Sequence, residues 1–297
     1  MKLARFWARQ TADATNREGK RIRAAARGWS NDSLEAAAAM ALQTAQRVVA
    51  LVAEGRTKLQ RYQYGDRPIP EPVIRQFPDP VIQQMGGVSI ARAVVTRNVY
   101  GALVLNTNDL MFIDIDSDDA PPKPATSIAA GLMSLFRKKQ QPVVHPASTS
   151  IEDSIAQVGE ANGLSLRLYK TAGGYRAIVT NLTQTATDET SLALLHEFGS
   201  DPLYVHLCKQ QESFRARLTP KPWRMKMWEP PVTYPFQTQQ EQQRFDRWNA
   251  DYVAASARFA TCRFIKAVGD SEPAPGFQEL IDFHDEQTKA QISLPLA

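Results

Sequence analysis

The sequence contains little cysteine and little histidine, with two cysteines and four histidines in 297 residues. Cys208 and Cys262 lie far apart, and neither belongs to a Cys/His pattern with metal-ligand spacing, which excludes a zinc finger. Two thiols in a chain of this length are typical of a reducing compartment, where free cysteines pack as small apolar groups. We therefore expect a cytoplasmic protein.

Long apolar runs are also missing. The apolar stretch 36–53 is interrupted by Gln43, Gln46 and Arg47, and the stretch 128–136 is too short to span a bilayer. Residues 1–27 hold eight Lys or Arg, but the apolar segment of a secretory signal does not follow them. We expect no membrane partner, and the basic stretch predicts either a phosphate-binding arm or a solvated terminal segment.

Neither sign of charge dominates, since 35 Lys and Arg face 31 Asp and Glu for a formal net charge of +4. Attraction to nucleic acid or phosphate therefore depends on where the charges lie. A hydrophobic content of 43 % excludes a disordered chain, and the length allows at most two domains. The sequence lacks a Gly-x-Ser-x-Gly elbow and a Gly-x-Gly-x-x-Gly motif, so we expect neither acyl transfer nor nicotinamide chemistry.

Three regions follow from the local patterns. Asp32 and Glu35 form a capping box that predicts a helix ending at Gly55, and five prolines within residues 65–80 predict a connector. We expect a helical N-terminal region with a basic arm (1–85), an α+β core (86–230) and a helical C-terminal region packed on that core (231–297).

The core pattern begins with β-branched and aromatic runs at 88–96, 100–106 and 110–116, which predict a small antiparallel meander. Helices are predicted at 128–136, 150–162, 189–198 and 202–214, and a hairpin joins strands at 164–169 and 175–180. A last long helix is predicted from apolar residues at helical spacing, Phe245, Trp248, Tyr252, Ala255, Phe259 and Cys262.

The sharpest local signal is the segment 111–119, an apolar run that ends in Asp114-Ile115-Asp116. Successive side chains of a strand point to opposite faces, so Asp114 and Asp116 share one face. Two converging carboxylates suit a hard divalent cation such as Mg²⁺ or Mn²⁺. The alternative is a strand that runs into an acidic turn, and Asp118 and Asp119 could serve as outer ligands.

Two further segments are basic. The predicted hairpin carries Arg167, Lys170 and Arg176 around Gly173-Gly174, which could grip a triphosphate or form a plain hairpin with basic faces. The second segment, residues 213–228, holds five cations without an acid, interleaved with Phe214, Trp223 and Trp228, and its prolines stiffen it. It predicts either contact with phosphates or nucleic acid, or a surface loop paired with acids elsewhere. The cations proposed for contact in this second segment are Arg215, Arg217, Lys221 and Arg224.

The histidines add less. His196 and His206 fall within helical patterns where a structural role is usual. His284-Asp285-Glu286 lies in a polar helix near the C-terminus, where it could contribute to an active site or lie on the helix surface.

The order of strand, helix, hairpin and helix follows most of a split β-α-β unit. Together with Asp-x-Asp at the end of the first strand, the glycine hairpin with its cations and the downstream segment 215–224, it resembles the archaeo-eukaryotic primase-polymerase superfamily. The resemblance implies a palm-like sheet core and places Asp114 and Asp116 as ligands of catalytic Mg²⁺ or Mn²⁺. It implies a phosphate-contacting role for Arg176 or Lys170 where the family has a histidine, and makes Asp201 the candidate third acid.

The chain also looks like a family of bacterial proteins through residues 96–98, 100–107 and 215–224, a resemblance that implies no activity. We therefore expect a metal-dependent nucleotidyltransferase acting on nucleotides or nucleic acid. Two alternatives are a non-catalytic nucleic-acid or nucleotide-binding protein on a palm-like scaffold, and a haloacid-dehalogenase-like phosphatase with Asp114 as nucleophile and Asp116 as acid and base.

Overall fold

The computed structural model describes residues 1–55, 68–78, 91–117 and 150–297. Within these ranges the chain is a mixed α+β protein with three antiparallel sheets and six α-helices, which confirms the expected α+β class. It divides into two compact units. The first contains Val73–Glu229 and Tyr252–Ala297 together with Met1, and the second contains Lys2–Pro72 and Pro230–Asp251. The predicted helix at 128–136, Asp118 and Asp119 lie outside the described residues.

Two four-stranded antiparallel sheets form the first unit. Its strands are β3 (Val73–Pro78), β4 (Ala91–Arg97), β5 (Leu103–Thr107), β6 (Phe112–Asp116), β7 (Leu166–Thr171), β8 (Gly174–Val179), β9 (Phe214–Arg217) and β10 (Cys262–Val268). One sheet has the order β3-β4-β5-β9, and the other has the order β10-β7-β8-β6. Strand β6 therefore lies at the edge of its sheet.

In the described part of the chain, four α-helices lie wholly within the first unit. They are α2 (Ile151–Ala161), α3 (Glu189–Glu197), α4 (Pro202–Gln211) and α6 (Phe277–Thr288), with a short 3₁₀ helix at Pro222–Met225. Helix α5 (Gln239–Ser256) contains the division between the two units. Large apolar side chains from both sheets and from α3, α4 and α6 form one core, with Phe112, Leu168 and Phe214 fully buried. Burial of such side chains is the main stabilising contribution to this unit.

The predicted meander of three strands is wrong in its last pairing. Strands β4 and β5 pair with each other, but β5 continues to β9, and β6 pairs with β8. The linking residues Leu110 and Met111 are almost completely buried between these strands. Because both are apolar, the turn that contains them belongs to the core, and the chain crosses from one sheet to the other.

Several boundaries differ from the predictions because tertiary contacts override the local pattern. Residues 73–78, within the proline-rich connector, form edge strand β3, where Pro78 at the strand end is tolerated. Helix α4 ends at Gln211 because Glu212 adopts a left-handed conformation, and Phe214 begins β9.

The last long helix ends earlier than its apolar pattern predicts. Helix α5 stops at Ser256, and Cys262 begins β10 instead of extending the helical stripe. The Lys289 ammonium donates hydrogen bonds to the carbonyls of Ser256 and Ala257, both at 2.8 Å. A cation at this end satisfies carbonyl groups that have no partner within the helix.

The second unit begins with a hairpin where we predicted a basic arm or a solvated segment. Strands β1 (Phe6–Thr15) and β2 (Arg21–Ser30) pair along their full length, and α1 (Leu34–Ala53) packs on them. Asp13 forms ion pairs with Arg21 and Arg23. The N-terminal cations are thus partly neutralised on a sheet.

Helix α1 begins one residue later than the predicted capping box. The Ser33 side chain, and not Asp32, accepts a hydrogen bond from the Ala36 N–H, and the helix ends near Gly55 as predicted. By length and composition α1 could cross a membrane, but a helix that packs on a protein core meets the same criteria.

Candidate functional site

Asp114 and Asp116 lie at the C-terminal end of β6, on the same face of the sheet. Asp114 is opposite Arg176 on β8, and Asp116 is opposite Gly174. The Asp114 side chain is 40 % exposed, and Asp116 is also exposed, whereas the intervening Ile115 is buried. The alternation of apolar and acidic residues therefore anchors the strand on one side and presents two carboxylates on the other.

The free edge of β6 is covered by the junction between α3 and α4. The Tyr204 hydroxyl donates to the carbonyl of Phe112 at 2.8 Å. The Ser200 hydroxyl and the Asp201 N–H donate to the carbonyl of Asp114 at 2.9 and 3.0 Å. These bonds satisfy edge carbonyls and fix the backbone that carries the two acids.

Asp201, the candidate third acid, comes close to Asp114 through its backbone. Its side chain has a different role, since Oδ1 accepts a hydrogen bond from the Leu203 N–H at 2.9 Å and caps α4. Among the described residues no group of three or more His, Cys, Asp or Glu side chains is arranged to hold a metal ion.

Arg176 lies beside Asp114 and is almost completely buried, with 3 % of its side chain exposed. Its Nη2 lies 3.5 Å from Asp114 Oδ1, and its Nη1 donates to the Arg217 carbonyl at 3.0 Å. A buried guanidinium without a nearby anion would be costly, so Asp114 also stabilises Arg176.

Arg217 and Arg224, both from the basic segment, also interact with Asp114. Burial, together with the neighbouring Arg176 and Arg224, lowers the pKa of Arg217 to about 10, which leaves it charged at neutral pH. Burial also lowers the pKa of Arg224, an effect that Asp116 and Asp114 oppose. Arg217 and Arg224 thus lie close enough to interact electrostatically with Asp114, and Arg224 also interacts with Asp116.

The Gly173 turn of the β7–β8 hairpin makes room for one of these cations. A Cβ atom at Gly173 would lie 2.8 Å from Nη2 of Arg224, so a larger residue would displace the guanidinium. The Gly173 N–H donates to Thr171 Oγ1 at 3.3 Å, and its carbonyl accepts from the Ser117 N–H at 2.9 Å. This turn ties the hairpin to the end of β6, and the Gly173 amide is already used within the protein.

The remaining predicted cations have other partners. Arg167 shares a sheet face with Asp114 but pairs with Asp285 at 2.6 Å. Lys170 Nζ lies 3.9 Å from the ring centre of Tyr175, on the opposite sheet face. Arg215 donates to Gln211 at 2.7 Å, and Lys221 lies over the Trp223 ring. Of the predicted set, Arg176, Arg217 and Arg224 interact with Asp114.

The aromatic residues of the basic segment do not form one surface. Phe214 is fully buried, and Trp223 packs edge-on against Tyr100 with ring centres 5.0 Å apart. Trp228 is 87 % exposed. For the predicted stacking of bases on aromatic faces, Trp228 is therefore the most exposed residue of this set, and Trp223 is half-buried.

His284 is part of the environment of the site, although its segment predicted either an active-site contribution or a helix surface. It is fully buried, and its Nε2 lies 3.4 Å from Arg176 Nη1. The signal was present in the sequence, because Phe277, Leu280, Ile281 and His284 fall on one face of α6. Tyr169, which donates to Asp285 at 2.7 Å, had no comparable signal.

Comparison with protein-family models, curated proteins and solved structures finds no match for this chain. The geometry of the site is therefore the evidence for function.

Proposed function

We propose that this protein is a metal-dependent nucleotidyltransferase that acts on nucleotides or nucleic acid. The observation that carries the proposal is the placement of Asp114 and Asp116 on one sheet face, with Arg176 3.5 Å from Asp114 and with Arg217 and Arg224 close enough to interact electrostatically with it. Carboxylates and guanidinium groups at one site suit a substrate that brings phosphate together with a divalent cation.

The residues present fit Mg²⁺ or Mn²⁺. Magnesium is commonly held by one or two carboxylates, with water and substrate phosphates completing the coordination. Asp114 and Asp116 would supply those carboxylates, and the bound cation would activate an attacking hydroxyl and stabilise the leaving pyrophosphate. Arg217 and Arg224 would bind and orient the phosphates, and Arg176 would balance the negative charge of Asp114.

The strand order supports a palm-like core. Strand β8 lies between β6 and β7 and is antiparallel to both, so β6 and β7 run in the same direction. Two parallel strands with a third inserted between them, and α2 in the connection, are the pattern of a split β-α-β unit. The fourth strand of this sheet, β10, pairs with the outer edge of β7.

The antiparallel sheet disfavours the phosphatase alternative. A haloacid-dehalogenase-like enzyme would place Asp114 at the end of a strand in a parallel sheet, whose neighbouring strands need crossover connections. Here β6 pairs antiparallel with β8, which forms a hairpin with β7.

One observation favours the non-catalytic alternative. The Asp114 carboxylate already faces a buried guanidinium, and that pair could hold the strand end without any metal. A protein of this kind would use Arg217 and Arg224 to bind phosphate groups and would show no turnover.

The test is primer extension and dinucleotide synthesis with labelled nucleoside triphosphates and Mn²⁺. Wild type is compared with the site variants Asp114→Asn and Asp116→Asn. The control is Asp153→Asn, which removes an exposed carboxylate of α2 that is not part of the site. We expect activity in wild type and Asp153→Asn and its loss in both site variants. Equal signals from all four proteins, or no signal on any template, would contradict the enzymatic proposal.

Binding of nucleic acid without turnover, unaffected by Mn²⁺, would support the non-catalytic alternative. Its affinity should then fall steeply with salt and fall further in Arg224→Ala.

A further inference from the structure

Behind Arg176 lies a group of buried and partly buried polar side chains that the proposed chemistry does not use. Asp285 accepts hydrogen bonds from the Tyr169 hydroxyl at 2.7 Å and from Arg167 Nη2 at 2.6 Å. His284 Nδ1 lies 3.0 Å from Asp285 Oδ1. These residues come from β7 and α6, and their hydrogen bonds end at the guanidinium that faces Asp114.

The partners of His284 define its tautomer. Hydrogen bonds from His284 and Tyr169 lower the pKa of Asp285 although burial opposes this, so the carboxylate is ionised and can only accept. The proton of the imidazole is therefore on Nδ1. Burial lowers the pKa of His284 to about 4, so at neutral pH Nε2 carries no proton and accepts a hydrogen bond from Arg176 Nη1.

Both N–H groups of Arg176 Nη1 are then used, one by the Arg217 carbonyl at 3.0 Å and one by His284 at 3.4 Å. Within the described residues, Nε of the same guanidinium has no hydrogen-bond partner. The distance of 3.5 Å from Nη2 to Asp114 Oδ1 exceeds the roughly 2.7–2.9 Å of a close charge-assisted bond. Nη1 thus has two hydrogen-bond partners, whereas Nη2 lies beyond charge-assisted bonding distance of Asp114.

We infer that His284, as the neutral Nδ1–H tautomer, positions Arg176 so that it does not close on Asp114, which leaves this carboxylate accessible to a divalent cation. His284 touches neither the cation nor the substrate and is thus a positioning residue. The part of this inference that concerns a divalent cation rests on the proposed function. The positioning of Arg176 by His284 does not depend on it.

Two substitutions of similar chemistry separate the contacts of His284. In His284→Gln the longer amide can place an oxygen where Nε2 lies and accept from Arg176. In His284→Asn the shorter amide can donate to Asp285 but does not reach Arg176. Thermal unfolding establishes that both variants fold, so that a difference between them reports on the contact with Arg176.

The first measurement needs neither metal nor substrate. Nitrogen-15 NMR of the wild-type ring should show the Nδ1–H tautomer, and the Arg176 side chain should give separate Nη1 and Nη2 signals because its rotation is hindered. We expect His284→Gln to retain hindered rotation and His284→Asn to lose it. An Nε2–H tautomer in wild type, or equally hindered rotation in His284→Asn, would overturn the inference.

The second measurement is Mn²⁺ affinity, read from the electron paramagnetic resonance signal of free Mn²⁺. We expect His284→Asn to weaken binding by about tenfold, because Arg176 then competes for Asp114, and His284→Gln to bind as wild type does. Adding Arg176→Gln to His284→Asn should restore the affinity, because the competing cation is gone. Equal affinity in the two single variants would overturn the inference, whereas a wild type that does not bind Mn²⁺ would overturn the proposed function and leave the NMR result to decide the positioning role.

Discussion

The two units bury their interiors with different kinds of side chain. In the second unit α1 contacts the hairpin through small residues, with Ala12, Ala37, Ala41 and Ala45 buried. The first unit fills the space around its sheets with large aromatic and aliphatic side chains, and it also encloses His284.

This difference determines what each unit tolerates. A helix that approaches a sheet through alanine leaves no room for an added methyl group, so the second unit should be most sensitive to enlargement. A core of large side chains loses most when one is truncated, so the first unit should be most sensitive to deletion. The polar groups inside the first unit add a sensitivity to pH that the alanine contact lacks.

The largest effect is expected from truncation of an aromatic residue in the first unit. Phe214→Ala removes a fully buried ring and should lower the free energy of unfolding by about 4 kcal/mol in chemical denaturation. Trp228→Ala removes a larger ring that is 87 % exposed, and it should cost less than about 0.5 kcal/mol. Similar losses in the two variants would show that the core does not depend on close packing.

The second effect comes from His284. Because burial lowers its folded pKa from the ordinary 6.5 to about 4, the unfolded chain binds a proton more readily between these values. The stabilising contribution is therefore complete above pH 6.5 and is lost as pH falls towards 4, by about 3 kcal/mol in total. Denaturation as a function of pH measures this loss, and His284→Gln provides the control.

If His284→Gln loses as much stability as wild type between pH 6.5 and 4, another group is responsible. Hydrogen bonds from Arg23 and Arg21 lower the pKa of Asp13 from 3.8 to about 2. Asp13 therefore changes the stability only below about pH 3.8, which is outside this range.

Local features of both units follow from the sequence, whereas their long-range strand pairing does not. The alternation around Asp114 and Asp116 predicts their shared face, because side-chain direction in a strand is a local property. The partners of β6 depend on contacts with residues more than 60 positions away, such as Arg176, and no local pattern specifies them. The hairpin of the second unit was missed for a related reason, since its alanines and arginines do not give the apolar alternation of a typical strand.

The third effect tests the close contact in the second unit. A Cβ atom at Gly28 would overlap backbone atoms of Ala37 and Ala41, which cannot move without displacing α1. Gly28→Ala should therefore cost about 2 kcal/mol, read as faster hydrogen exchange of the α1 amides. Ala39→Leu adds a larger side chain at an exposed position of the same helix and should have little effect. Unchanged exchange in Gly28→Ala would show that α1 does not rest on β2 in solution.

The smallest effect concerns the first turn of α1 and compares two adjacent residues. The Ser33 hydroxyl oxygen accepts from the Ala36 N–H at 3.1 Å, so Ser33→Ala should cost about 1 kcal/mol. Asp32 precedes the cap and helps only through its charge near the helix N-terminus, so Asp32→Ala should cost about 0.3 kcal/mol, a loss that salt reduces. Hydrogen exchange of the first-turn amides distinguishes the two variants. A larger change in Asp32→Ala would show that Asp32 is the cap, as the sequence pattern predicts. The expected ranking requires the hydrogen bond from the Ala36 N–H to Ser33 to form in solution. Charge alone would make Asp32→Ala the more costly substitution.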